Sequence, residues 1–370
     1  MQFIDLAAQQ APIRKRIDDA VARVLDHGRY IMGPEVAELE AELATASGAA
    51  HVVSCASGTD ALVLALLARG VGPGDAVCVP SFTFAATAEA VALLGAVPYF
   101  VDVDEATFDL DPEHLAAALA SPPEGTTVRG VVPVDLFGQP AAYGPIGELA
   151  AAHGAWVVAD AAQSFGATQG GRPVGSLVEL TTTSFFPAKP LGCYGDGGAV
   201  FATSEEDAEV LRSLRVHGSG THKYDNTRIG INGRLDTIQA AILLEKLRVF
   251  PEELVARQRV ADRYASALAD VADVPGLAPD RTSAWAQYTI RVPDRDGVAA
   301  RLRDAGVPTA VYYPRPLHRQ TAYERFPAGP GGLATSEGLA DDVLSLPMHP
   351  YLADEDVDAV AAAVAGALPG

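Results

Sequence analysis

His51-Val52-Val53-Ser54-Cys55-Ala56-Ser57-Gly58-Thr59-Asp60-Ala61-Leu62 passes from a β-branched run through small residues into an Ala/Leu-rich stretch, which reads as a strand feeding a helix N-terminus. The pattern repeats as far as residue 203. Ala76–Pro80, Val97–Val101, Gly130–Leu136, Trp156–Ala159, Thr181–Phe186 and Gly198–Ala202 are further short β-branched or apolar runs, alternating with Ala/Leu-rich helical stretches. Such alternation predicts an α/β fold with a mostly parallel seven-stranded sheet covered by helices on both faces.

Past this region, Arg234–Phe250 carries apolar residues at helical spacing (Leu235, Ile238, Ala241, Ile242, Leu247) and leads into a charged helix from Glu252 to Leu268. The domain boundary is placed here, with a large domain over residues 1–245 and a smaller α+β domain over 246–370. In the latter, Ala284–Val292 reads as a strand, Gly297–Ala305 as a helix, Phe326–Leu333 as a loop and Asp354–Ala367 as an amphipathic helix. A chain of 370 residues, 49% apolar, has ample material for two packed domains.

With 47 acidic against 27 basic residues the formal charge is −20, which repels a phosphate backbone and excludes nucleic acid as an expected partner. An anionic substrate then needs a local pocket of N–H groups and a few cations. Cys55, Cys78 and Cys193 are odd in number, form no Cys-x-x-Cys pair and have no His cluster at ligand spacing, so reduced thiols and no metal are expected. The first ten residues lack a basic-then-apolar leader and no apolar run reaches bilayer length, so the expected location is the cytoplasm, with no membrane contact.

Three motifs carry chemistry. Ser57-Gly58-Thr59 opens a helix, where free N–H groups and hydroxyls suit a phosphate; alone, it is also an ordinary N-cap. Val157-Val158-Ala159-Asp160-Ala161-Ala162-Gln163-Ser164 ends a buried strand in an acid, at the edge where open α/β sheets bind ligands; that acid can pair with a protonated ring nitrogen or simply cap a turn. Thr183-Ser184-Phe185-Phe186-Pro187-Ala188-Lys189-Pro190-Leu191-Gly192 sets one lysine among aromatics, prolines and glycines. Desolvation there lowers the amine pKa and frees its lone pair for Schiff-base chemistry.

Phosphate cradle, acid and lysine, in this order at strand ends, are the layout of a fold-type I pyridoxal 5'-phosphate (PLP) site. The motifs Asp-Ala-Ala-Gln-Ser-Phe-Gly-Ala (160–167) and Ser-Phe-Phe-Pro-x-Lys-Pro-Leu-Gly (184–192) resemble those of the DegT/StrS family of nucleotide-sugar aminotransferases. The resemblance extends from Phe3-Ile4-Asp5-Leu6 to Ser345-Leu346-Pro347-Met348-His349-Pro350. It implies an aspartate aminotransferase-like fold in which Lys189 holds PLP as a Schiff base and shuttles the proton. Asp160 pairs with the pyridinium nitrogen, Gln163 with the phenolic oxygen, and Phe84 stacks on the ring. Gly58, Thr59, Asp60 and Ser184 match phosphate-holding positions. Asn232, in Gly230-Ile231-Asn232-Gly233-Arg234-Leu235-Asp236, matches a residue that reaches the phosphate from the neighbouring subunit, which implies a homodimer with shared active sites.

Phe3–Gln10, the segment His27 to Val36 and Lys189–Gly198 look most like the enzymes that aminate carbon 3 of UDP-2-acetamido-2-deoxy-3-oxo-glucuronate with glutamate as donor, making an amino sugar for surface polysaccharide. In that comparison Tyr30, Arg234, Tyr312 and Tyr313 are the substrate positions, and Arg234 suits a uronate carboxylate as well as it suits an ordinary helix start. Tyr312-Tyr313-Pro314 departs from the His-Tyr-Pro of that subgroup, which keeps a dTDP-linked 3-keto-6-deoxyhexose, or another keto-sugar or cyclitol, in contention. A non-catalytic PLP-binding regulator would have lost Lys189 or Asp160, and a cysteine desulfurase needs a mobile thiol that Cys193 does not offer.

Overall fold

All seven runs read as strands pair in one sheet. The computed structural model describes residues 1–222 and 224–368. Its strands are β1 (His51–Cys55), β2 (Asp75–Pro80), β3 (Val97–Val101), β4 (Thr127–Val131), β5 (Trp156–Asp160), a short hairpin of β6 (Thr168–Gln169) and β7 (Arg172–Pro173), then β8 (Leu180–Ser184) and β9 (Gly198–Ala202). The main sheet runs β1-β9-β8-β5-β4-β2-β3. Its pairs are parallel except those of β9, which lies antiparallel between β1 and β8.

Both faces are covered, and the alternation along single strands shows it. Val77 and Val79 of β2 enter a core with Leu62, Leu64 and Leu66 of the helix Gly58–Ala68, whereas Ala76 and Cys78 enter another with Tyr99, Leu115 and Ile146. On β9, Val200 and Ala202 face the first of these cores, and Ala199 and Phe201 pack with Leu39, Phe165 and Leu243. Strands buried on both faces read as near-continuous apolar runs, which is how they appear in the sequence.

One strand is displaced from its expected place. The run Gly130–Leu136 contributes only its beginning to β4, because Pro133 has no N–H for the ladder and Val134 makes a single isolated bridge to Asp160. The rest of the run still matters. Asp135 N–H donates to Asp160 O (3.0 Å) and Asp160 N–H donates to Pro133 O (2.9 Å), clamping the end of β5.

The helical passage after Arg234 is likewise shorter than its periodicity implied. It spans Thr237–Leu247, and Phe250–Leu268 follows as a separate helix with Pro251 in its first turn, where a missing N–H costs nothing. That second helix joins two cores: Phe250 packs under the main sheet, while Val260, Tyr264 and Leu268 pack with Tyr288, Ile290, Leu302 and Val360. Around the latter core, β10 (Tyr288–Arg291) and β11 (Val343–Leu346) pair antiparallel beside the helices Arg295–Asp304 and Asp354–Ala367. The strand expected over Ala284–Val292 is trimmed to β10, leaving Ala284–Gln287 as irregular chain. Among the described residues no helix is long and apolar enough to cross a membrane.

Candidate active site

The ends of β1, β5 and β8 open onto one cavity of about 430 Å³. Of the residues singled out from the sequence, Gly58, Thr59, Phe84, Asp160, Gln163, Ser184, Lys189, Tyr312 and Tyr313 line it.

At one end is the N-terminus of the helix Gly58–Ala68. Ser57 caps it, its Oγ accepting from Asp60 N–H (3.0 Å), so Asp60 has already committed its amide and does not line the cavity. The earlier N–H groups have no intrahelical acceptor and remain available to an anion. Gly58 is required by proximity: a Cβ there would lie 2.7 Å from Ser184 Cβ, so absence of a side chain brings the helix start against the end of β8.

Asp160 is 5% exposed. Thr87 Oγ1 donates to its Oδ2 (2.8 Å) and Ala162 N–H to its Oδ1 (3.2 Å). Burial raises its pKa, opposed by the Thr87 and Ala162 hydrogen bonds and by the charge of Lys189. For Lys189 the balance is reciprocal: burial lowers the amine and Asp160 raises it. The residue sits in a loop held by Lys189 N–H donating to Phe186 O (2.9 Å) and Cys193 N–H to Phe185 O (2.8 Å).

Gln163 is pinned from behind. Its Oε1 accepts from Phe137 N–H (2.7 Å), leaving Nε2 to face Tyr313 OH at 3.4 Å. The Tyr313 ring lies 6.2 Å from both Phe82 and Phe84, and burial raises its phenol. Phe84 is 56% exposed and lies at the mouth.

Tyr30, Asn232 and Arg234 do not line this cavity. They share a neighbouring strip, where Ile31 bridges Asp236, Val216 bridges Asn232, and Gly233 O accepts from Ala56 N–H. Tyr30 is 49% exposed and Asn232 is exposed; Arg234 is half-buried, with its Nε unpaired among the described residues.

Sequence reasoning missed Thr87, Phe137 and Gln287. Thr87 follows Phe84 by three positions in the helix Ala85–Leu93, a spacing that turns it inward. Phe137 acts through its backbone and carries no side-chain signal. Cys193 is buried, donates to the carbonyls of Phe185 and Gly195 (3.1 Å each) and is pushed up to about 11, so it is no nucleophile.

The residues fit a PLP molecule. The Gly58 cradle, which a Cβ would fill, is shaped for a phosphate, and a buried carboxylate with two donors stands in the same cavity as a desolvated lysine.

Comparison with known proteins agrees. The model of the DegT/DnrJ/EryC1/StrS aminotransferase family matches residues 11–365. The chain is 48% identical over 365 residues, 98% of its length and 99% of the relative's, to UDP-2-acetamido-2-deoxy-3-oxo-D-glucuronate aminotransferase of Pseudomonas aeruginosa. The crystal structure of a DegT DnrJ EryC1 StrS aminotransferase from Brucella abortus superposes with a TM-score of 0.98 at 52% identity, covering 99% of both chains. That of S. venezuelae DesV in complex with a ketimine intermediate gives 0.93 at 40% identity, covering 99% of this chain and 97% of that one.

Proposed function

The chain belongs to the DegT/DnrJ/EryC1/StrS family of PLP-dependent aminotransferases, and on that premise we propose that it moves the amino group of glutamate to the 3-keto carbon of a nucleotide-linked sugar, a UDP-linked 3-keto-uronic acid. The observation that carries the reading is the meeting of Lys189 and Asp160, both withdrawn from water, in a cavity that ends at a helix N-terminus. The P. aeruginosa relative, alike over its whole length, supports the choice of sugar.

When bound, PLP supplies an electron-withdrawing ring that stabilises negative charge on the carbon losing its proton. This chain's residues do the rest. Asp160, steadied by Thr87 and Ala162, keeps a proton on the ring nitrogen; Gln163, steadied by Phe137, holds the phenolic oxygen. Phe84 covers the ring face, and Gly58, Thr59 and Ser184 hold the phosphate end; Asp60, outside the cavity, takes no part. Lys189 would be the group that anchors the cofactor, and its Nζ is placed to hold and move a proton there. Burial lowers its pKa, against the charge of Asp160, and so favours the free lone pair.

Asn232, Arg234 and Tyr30 reach the partner subunit's cavity in a cytoplasmic homodimer, Asn232 at the phosphate and Arg234 at the uronate carboxylate. Residues 1–245 form the cofactor-binding body, and 246–370 the smaller domain that carries Tyr312 and Tyr313.

The test is direct. Purified protein with PLP develops a visible absorption band and, with glutamate and the UDP-linked 3-keto-uronate, yields 2-oxoglutarate. Lys189→Ala loses the band and lowers turnover on the order of 10³-fold or more. A wild type without the band overturns the assignment. Tyr312, a phenol beside Phe3 (ring centroids 6.3 Å apart), favours a second reading, a dTDP-linked 3-keto-6-deoxyhexose. Turnover of that sugar and not of the uronate replaces the first reading.

A further inference from the structure

Two buried polar atoms in the cavity wall have no hydrogen-bond partner among the described residues, Thr83 Oγ1 and Gln287 Oε1. A native interior leaves few such groups unpaired, and one in a ligand cavity marks a place for a ligand atom. Thr83 lies between Phe82 and Phe84, in the segment already assigned to the ring face. Gln287 belongs to none of the positions that hold the cofactor.

Its placement follows from alternation. Tyr288 and Ile290 point into the core of the C-terminal part of the chain, so Gln287, one residue before Tyr288, turns the other way into the cavity. Gln287 N–H meets Phe137 O at 3.4 Å, and Phe137 N–H holds Gln163. Gln287 therefore stands at the Gln163 and Tyr313 end of the cavity rather than at the Gly58 and Thr59 end.

We propose that Gln287 is a specificity-determining residue whose side-chain amide hydrogen-bonds a ring hydroxyl or acetamido group of the keto-sugar. The proposal rests on the sugar aminotransferase reading above and extends it. The chemistry separates the two substrates. The carboxylates of glutamate are acceptors only and leave an acceptor oxygen unpaired. A sugar ring offers hydroxyl and acetamido groups, each both donor and acceptor, which satisfy the amide in either orientation of its oxygen and nitrogen. A site built to hydrogen-bond a substrate group rejects analogues that lack it more sharply than an apolar wall can.

The experiment takes the holoenzyme and follows each half-reaction separately through the visible spectrum of the cofactor. Wild type, Gln287→Leu and Gln287→Met are compared with glutamate alone, then, from the aminated form, with whichever nucleotide-linked 3-keto sugar the wild type accepts. Both variants are expected to keep the glutamate half-reaction within about 2-fold while kcat/KM for the sugar half falls roughly 10- to 100-fold. An unchanged sugar half-reaction overturns the proposal, and so does an equal loss in both halves, which would mark Gln287 as merely structural. A wild type that accepts no nucleotide-linked 3-keto sugar overturns the functional reading instead, a distinct result.

Discussion

Lys189 and Lys246 are both lysines with lowered pKa, and what surrounds each amine separates their roles. Lys189 borders a cavity and shares it with Asp160. Lys246 is 1% exposed, its Nζ has no hydrogen-bond partner among the described residues, and it stands 5.0 Å from the centroid of the Tyr194 ring. Burial lowers it to about 8, against the attraction of Glu253 and Cys193. Above pH 8 the folded chain has released this proton while the unfolded chain retains it up to its ordinary pKa of 10.5, so stability from this group rises with pH across that window. Urea titrations should show wild type gaining about 3 kcal/mol on Lys246→Met between pH 8 and 10.5. Parallel curves would refute it. The two lysines differed in legibility for a local reason. Prolines, glycines and aromatics flank Lys189 in the chain itself, whereas Lys246 sits in Leu244-Glu245-Lys246-Leu247, an ordinary helical stretch whose burial beside the Tyr194 ring, far back in the chain, leaves no local trace.

At the scale of elements, the site is a set of strand ends and one helix start held in contact. Gly58 marks the tightest point, and Gly58→Ala must push the helix away from Ser184, whose Cβ would lie 2.7 Å from the new methyl group. The fold should survive, because the helix keeps the buried face formed by Leu62, Leu64 and Leu66. Loss of one or two charge-assisted hydrogen bonds to the phosphate should weaken PLP binding roughly 10- to 100-fold, read by spectroscopic titration of the apo-enzyme. Unchanged affinity would place the phosphate elsewhere. β1 and β5 were legible because burial on both faces writes a largely apolar run, and β8, Leu180-Thr181-Thr182-Thr183-Ser184, because its threonines are β-branched. Their partners were not. Thr87 with Asp160 and Phe137 with Gln163 are contacts between segments 73 and 26 residues apart, and no local pattern records them. The end of β4 failed for a related reason: Val132, Val134 and Leu136 are buried and so extend the apolar pattern, although Pro133 keeps the run out of the ladder.

At the scale of the whole molecule, the strip with Tyr30, Asn232 and Arg234 lies outside the chain's own cavity, and the proposed homodimer would give it a use. Phe84 at 56% exposure, Phe186 at 52% and Tyr30 at 49% surround the mouth and the neighbouring strip, a concentration of large apolar side chains that a second copy would cover. If Asn232 and Arg234 serve the partner's cavity, each site takes Lys189 from one chain and the Asn232 strip from the other. Lys189→Ala and Asn232→Ala/Arg234→Ala then damage different halves of a site. Each homodimer is inactive, but a mixed dimer keeps one site with an unaltered lysine facing an unaltered strip. Random mixing makes half the dimers mixed, each with one intact site of two, so co-refolding the inactive proteins should restore about a quarter of wild-type activity. If Lys189 and Asn232 instead met within one chain, every site would carry one of the two lesions and mixing would restore nothing.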